Sequence, residues 1–157
     1  MWIDACYRTA YRVAYQGARI YWRIARPSNR GALVTIWHQG RVLLVQNSYV
    51  SYRSLPGGYV RSGESPLDAA VRELKEEISL DVRADELKPA LDHTHVWEGR
   101  NDHVVIFRLD VDVAPMVQVD NREVVSAKWF SPEEALAENL FPPLRRLVEA
   151  EAQKGPN

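Results

Sequence analysis

The chain has little of what would build a secreted, membrane-spanning or thiolate-metal protein. Cysteine occurs once, at Cys6, so no intramolecular disulfide can form and no cysteine cluster can hold zinc. This suits a reducing cytoplasm, the location expected. No apolar run reaches the roughly 20 residues that a bilayer-spanning helix needs. Arg8, Arg12, Arg19 and Arg23 interrupt the N-terminal segment before a signal-peptide core could form. The formal net charge is only −1, so no global basic field exists for nucleic acid, and no nucleic-acid partner is expected. Internal repeats and low-complexity tracts are also missing. What remains is 157 residues, 46% apolar and 26% charged, which fits one globular domain with a real core.

Residues 3 to about 26 are predicted to be helical. Cys6, Ala10, Val13, Gly17, Ile20 and Ile24 recur at spacings of three and four and draw one apolar stripe. Tyr7, Tyr11, Ala14, Ala18 and Trp22 form a second row, and arginines occupy much of the rest. Such a helix is expected to cover the sheet or a homodimer partner, ahead of lying on an anionic membrane surface. Two β-rich runs, 32–37 and 41–45, flank His38-Gln39-Gly40 and read as a hairpin. Residues 47–58 read as a loop carrying Tyr49, Tyr52 and Arg53. Strands are expected near 90–97 and 103–113, with Glu98-Gly99-Arg100-Asn101-Asp102 as the turn between them, and again over Val124–Phe130. Trp97 and Phe107 read as packing residues. Helices are expected from Ser65-Pro66 to about Ile78, from Ser131-Pro132, and from Pro142-Pro143. Paired strands with interspersed helices predict an α/β (α+β) mixed-sheet sandwich. The division expected is residues 1–28, an N-terminal amphipathic helix and connector, and 29–157, the main domain.

The chemistry concentrates on the helix after Ser65. At about 100° per residue, Leu67, Ala70, Val71, Leu74 and Ile78 share one face, the core stripe. Glu73, Glu76 and Glu77 fall together on another arc, at i,i+3 and i,i+4 spacings where like charges repel. Acidic runs on helices are commonly just solvated faces. A divalent cation among these three would remove the repulsion, and a hard ion such as Mg²⁺ takes oxygen ligands and shares its remaining positions with phosphate. A carboxylate beside such an ion can deprotonate water for attack at phosphorus.

The flanking residues sharpen this reading. Gly58, Glu64, Arg72, Glu73, Leu74, Glu76, Glu77 and Leu80 match the pattern G-x5-E-x7-R-E-U-x-E-E-x-G-U, with U a bulky aliphatic residue. The segment resembles the Nudix box. Its six fixed charged or glycine positions would coincide by chance in roughly one chain in 10⁵ at average residue usage. Leu55-Pro56-Gly57-Gly58 and the Glu123…Lys128-Trp129-Phe130-Ser131-Pro132-Glu133-Glu134 stretch resemble the family's flanks, which extends the likeness over about residues 29 to 136. The late glycine of the pattern is Ser79 here, which puts the geometry of the helix exit in question.

The resemblance implies an α/β/α sandwich around a mixed sheet, with residues 1–28 as an extra N-terminal helix. It implies a Mg²⁺ cofactor, with Mn²⁺ as the alternative, and hydrolysis of a diphosphate bond in a nucleoside-diphosphate-linked small molecule. It implies Glu73, Glu76 and Glu77 as metal ligands, helped by the carbonyl of Gly57, and Glu123 where a late-loop glutamate falls. Glu73 and Glu76 are both candidates for the general base. Arg72 and Glu64 are implied organisers of the box, with Gly58 structural. On the loop, Tyr49 and Tyr52 could stack on a base and Arg53 could take a phosphate. His93 and His95 share a strand face but lack the further ligands a zinc site needs. The competing reading is a catalytically weak nucleotide sensor, which would be expected to have lost box glutamates.

Overall fold

The computed structural model describes residues 2–154, the side chain of Trp97 excepted. In chain order the elements are α1 (Trp2–Ala25), β1 (Ser28–His38), β2 (Arg41–Asn47), β3 (Arg53–Ser54), β4 (Gly57–Tyr59), α2 (Pro66–Ile78), β5 (Lys88–Trp97), β6 (Arg100–Asp110), β7 (Val124–Phe130), α3 (Pro132–Ala137) and α4 (Pro142–Ala152). A short 3₁₀ turn, Ala84–Glu86, precedes β5.

Strand β1 explains the layering. Ala32, Val34 and Ile36 alternate with Leu33, Thr35 and Trp37, and all six are buried. Alternate side chains leave a strand on opposite faces, so a strand buried on both sides needs a layer over each. One layer is α2, which packs Ala69, Ala70, Leu74 and Ile78 against Val34, Ile36, Leu43, Val45 and Phe107. The other is α3 with α4, which packs Ala135, Leu144 and Val148 against Trp37, Val42, Leu44 and Ile106. The sheet between them has seven strands and is mixed: β1 runs parallel to β6, and every other pair is antiparallel. The expected α/β/α sandwich is the observed one. Phe107 sits in the core as expected, and the packing expected of Trp97 lies outside the described residues.

The sequence left open which face of α1 meets the domain. Val13, Ile20 and Ile24 of the first apolar stripe are 68%, 63% and 81% exposed. The side packed inward is the row Tyr11, Tyr15, Ala18 and Trp22. Its rings offer both an apolar body and a polar edge, which suits a mixed surface. Tyr15 stands against Tyr49 with ring centroids 5.0 Å apart and donates its hydroxyl to Glu98. Arg12 Nε donates to the Ser48 carbonyl at 2.9 Å.

One sequence expectation needs correction, the turn at 98–102. Only Glu98 and Gly99 turn, with φ of 49° and 86°, as a two-residue hairpin with left-handed central residues requires. Arg100, Asn101 and Asp102 already belong to β6 and pair with Trp97, Val96 and His95. Gly99 has a second reason to lack a side chain: a Cβ there would lie 3.2 Å from the Arg23 Cα of α1.

Candidate active site

Helix α2 starts where the sequence says it should. Ser65 is extended (φ −79°, ψ 154°) and its hydroxyl accepts from the Asp68 N–H at 3.1 Å, with Pro66 opening the helix. It ends at Ser79 in the left-handed region, φ 56° and ψ 33°. A serine in that region costs on the order of 1 kcal/mol, yet the exit survives because the Leu80 N–H reaches back to the Leu74 carbonyl at 3.1 Å. Leu74 and Ile78 are fully buried. Burial of about 1.5–3 kcal/mol for each outweighs the few tenths that adjacent like charges cost the helix.

Each box carboxylate has its own place. Glu77 is 6% exposed and accepts from the Gly57 N–H at 2.8 Å. Burial, reinforced by the negative charges of Glu123, Glu73 and Asp120, pushes its pKa well above the ordinary carboxylate value against the pull of that one hydrogen bond. Glu73 lies against Gly58, where a Cβ would come within 2.7 Å of its Oε1. Its pKa is also raised by burial, opposed by Arg72. Glu76 is half-exposed and meets Arg61 at 3.3 Å. Gly57 is confined in another way. Its φ is +137°, and a Cβ would strike the Ala32 carbonyl oxygen at 2.2 Å.

Arg72 holds the group together. Its Nη1 donates to Glu73 at 2.6 Å and to Glu76 at 3.1 Å. Nε and Nη2 fork onto Glu64 at 2.8 and 3.0 Å, and Nη2 also reaches the Tyr59 carbonyl at 3.1 Å. That fork, with the Arg61 N–H, holds the Glu64 carboxyl down to about 2.

Glu123 approaches from a loop far along the chain. The Tyr49 hydroxyl donates to it at 2.8 Å, and burial first, then this partner, raises the Tyr49 pKa. The loop is shaped by Asp120, whose carboxylate accepts from the N–H groups of Arg122, Glu123 and Val124 at 2.9–3.1 Å. Sequence reasoning missed Asp120; its only signal was an acid followed by Asn121 in a turn-like stretch. Arg61 was missed too.

Gly58 and Glu123 border a cleft of about 320 Å³ that continues between the sheet and α1. Tyr49 and Tyr52 line it, together with Tyr59 and Phe141, so two of the three expected loop residues face this space. Tyr52 is stacked on Phe141 with centroids 6.2 Å apart. Arg53 does not line the cleft: Glu138 at 3.1 Å and Ser126 at 3.2 Å engage its guanidinium, which lies over Phe130. His93 and His95 stack on each other.

Among the described residues no three His, Cys, Asp or Glu side chains are already gathered as a cation cage. The donors nevertheless suit a hard divalent ion. All are oxygens, and Glu77 is a buried carboxylate with a single hydrogen bond, in need of a positive partner or a proton.

A mixed-sheet sandwich carrying a Gly-bordered glutamate helix beside a cleft defines a type of protein, and comparison with known proteins supplies the family. The NUDIX domain model matches residues 27–150, and the chain belongs to that family. It is 30% identical over 101 residues to Nudix hydrolase 5 of Arabidopsis thaliana, covering 60% of this chain and 33% of that protein. The chain thus spans about a third of the length of the curated relatives it matches. Among solved structures, a MutT protein from Methanosarcina mazei Go1 superposes with TM-score 0.71 at 21% identity, covering 85% of this chain and 99% of that one. A bifunctional NMN adenylyltransferase/ADP ribose pyrophosphatase from Francisella tularensis, complexed with AMP and a manganese ion, gives 0.67 at 16% identity, covering 90% and 48%. At these identities the structures show the fold. Nudix hydrolases generally use divalent metal ions.

Proposed function

We propose that the chain is a Mg²⁺-dependent pyrophosphohydrolase, with Mn²⁺ as the alternative ion, that cleaves a diphosphate bond in a nucleoside-diphosphate-linked small molecule. The observation that carries this is Glu77: a carboxylate 6% exposed on the box helix, with, among the described residues, only the Gly57 N–H to compensate it. Glu73, Glu76, Glu77, Glu123 and the Gly57 carbonyl would hold the ion. When bound, it would neutralise charge on the phosphoryl oxygens and make water a better nucleophile.

The protein's own groups do the rest. Glu73, half-buried with its pKa raised, is suited to accept the proton from the attacking water, and Glu76 is the second candidate. Arg72 fixes the rotamers of both through its fork on Glu64. Water adds to one phosphorus, the bridging P–O bond breaks, and a phosphate or phosphate ester departs.

The test is a panel of nucleoside-diphosphate-linked compounds with Mg²⁺ or Mn²⁺, followed by phosphorus NMR in ¹⁸O-labelled water. We expect label in one phosphate product, and loss of most turnover in Glu76→Gln and in Glu77→Gln with the fold intact. Near-normal rates in both variants would defeat the assignment.

A further inference from the structure

The family domain begins near residue 27, yet the cleft has a wall outside it. Tyr15 and Trp22 of α1 line the cleft directly. Arg100 and Asp102 of β6, 9% and 6% exposed, line it as well. Arg100 Nε donates to Asp102 Oδ2 at 2.5 Å, and the guanidinium lies over the Trp22 ring, 3.9 Å from its centroid. Among the described residues, Arg100 Nη1 and Asp102 Oδ1 are buried without a hydrogen-bond partner, as are both ring nitrogens of His95, which pairs with Asp102 across the hairpin. Buried polar atoms are nearly always paired, so a donor and an acceptor without partners on two residues that line one cleft call for a third group.

The third group must fit both. It must offer an N–H to Asp102 Oδ1 and an oxygen or nitrogen lone pair to Arg100 Nη1. It must also be flat, because the space between is walled by aromatic rings. An edge with adjacent donor and acceptor on a planar heterocycle is the edge of a nucleobase. We propose that α1 completes a base-binding subsite in which Tyr15 and Trp22 supply the stacking wall and Arg100 with Asp102 reads the base edge. This rests on and narrows the hydrolase reading: the residues that choose the base lie on the added helix and on the strand it covers.

The anchoring of α1 is consistent with a fixed wall. Its C-terminal end sits on Gly99, its middle is tied through Tyr15 and Arg19 to Glu98, and Asp4 near its start pairs with Arg122 at 3.5 Å.

The experiment uses the full chain without added metal and compares binding of AMP and GMP with that of ribose 5-phosphate, by calorimetry and tryptophan fluorescence. A stacked base should make one or both nucleotides bind at least about tenfold more tightly than the sugar phosphate. Asp102→Asn, nearly the same size, should lower that ratio about tenfold while ribose 5-phosphate binding stays unchanged. Tyr15→Leu should lower it as well, and Tyr15→Phe, which keeps the ring, should preserve it. The Tyr15 pair keeps the test independent of whether Asp102→Asn folds. A ratio near one in the unaltered protein, or an unchanged ratio in both Tyr15→Leu and Asp102→Asn, overturns the subsite. Because no turnover is read, its failure would leave the hydrolase reading standing. Inactivity toward every diphosphate alongside a ratio that falls as expected would sink the hydrolase reading alone.

Discussion

Glu77 allows a thermodynamic check that needs no substrate. Burial first, then the charges of Glu123, Glu73 and Asp120, raise its pKa in the folded chain well above the ordinary 4.5. Between those two pKa values the native state holds a proton that the unfolded chain has released. For this group the unfolded state therefore binds one proton fewer, and stability falls as pH rises, by about 1.4 kcal/mol per pH unit at most. Its contribution is fully present below the unfolded value and is lost as pH climbs through the folded one. A domain of this size loses roughly 2–4 °C of melting temperature per kcal/mol, so this carboxyl alone accounts for about 3–6 °C per pH unit.

Glu77→Gln removes the titration, while the amide oxygen can still accept from the Gly57 N–H. Thermal melts of both proteins in a chelator between pH 5 and 8 isolate the effect of this carboxyl and the acids coupled to it, because groups remote from it titrate alike in the two. The variant should gain on the unaltered protein as pH rises. Saturating Mg²⁺ or Mn²⁺ should close or reverse that gap by stabilising more strongly the protein that keeps the carboxylate. Parallel melting curves in chelator, or a gap that neither ion alters, would refute the argument that this buried acid awaits a cation.

Other perturbations test separate links. Ser79→Gly should raise stability by about 0.5–1 kcal/mol, the left-handed strain relieved less the extra flexibility of glycine in the unfolded chain, and a lower melting temperature would contradict the φ of 56°. Gly58→Ala should push the Glu73 carboxylate aside, since the new Cβ would lie 2.7 Å from Oε1. Turnover should drop about ten- to a hundredfold with little change in the melt, as for other losses of ligand orientation. Arg72→Lys keeps the charge but loses the fork on Glu64, so Mg²⁺ affinity read by calorimetry should weaken about tenfold; an unchanged affinity would show that Arg72 does not position these carboxylates.

The parts that were legible in the sequence are those whose cause is local. Glu73, Glu76 and Glu77 meet because helical geometry brings i, i+3 and i+4 together, and Ser65-Pro66 announces the helix that does so. The β1–β2 hairpin follows from alternation around Gln39-Gly40. The inward face of α1 was not legible, because both of its rows are apolar and the choice depends on Tyr49 and Glu98, which are distant in sequence. Arg53 read as a phosphate ligand because nothing local reveals Glu138, 85 residues away. Arg100 and Asp102 were hidden for a different reason: a polar stretch after glycine looks like loop, whereas a two-residue turn lets the strand begin immediately.

This division has a consequence for how the protein would work. The carboxylates are set by one helix and by two glycines that no larger residue could replace without collision, so the carboxylate end of the site is defined by short-range constraints. The other end is assembled from α1, the β5–β6 hairpin and the loop of Tyr49, whose mutual positions depend on contacts between segments far apart in the chain. Changes in those segments can reshape what the cleft accepts while Glu73, Glu76 and Glu77 stay where α2 puts them. Substitutions at Tyr15 should therefore alter the ranking of substrates in KM far more than kcat on the preferred one, whereas substitutions at Arg72 should lower kcat for every substrate alike. A Tyr15→Leu variant that lost kcat uniformly and kept its ranking would show that the two ends are not separable.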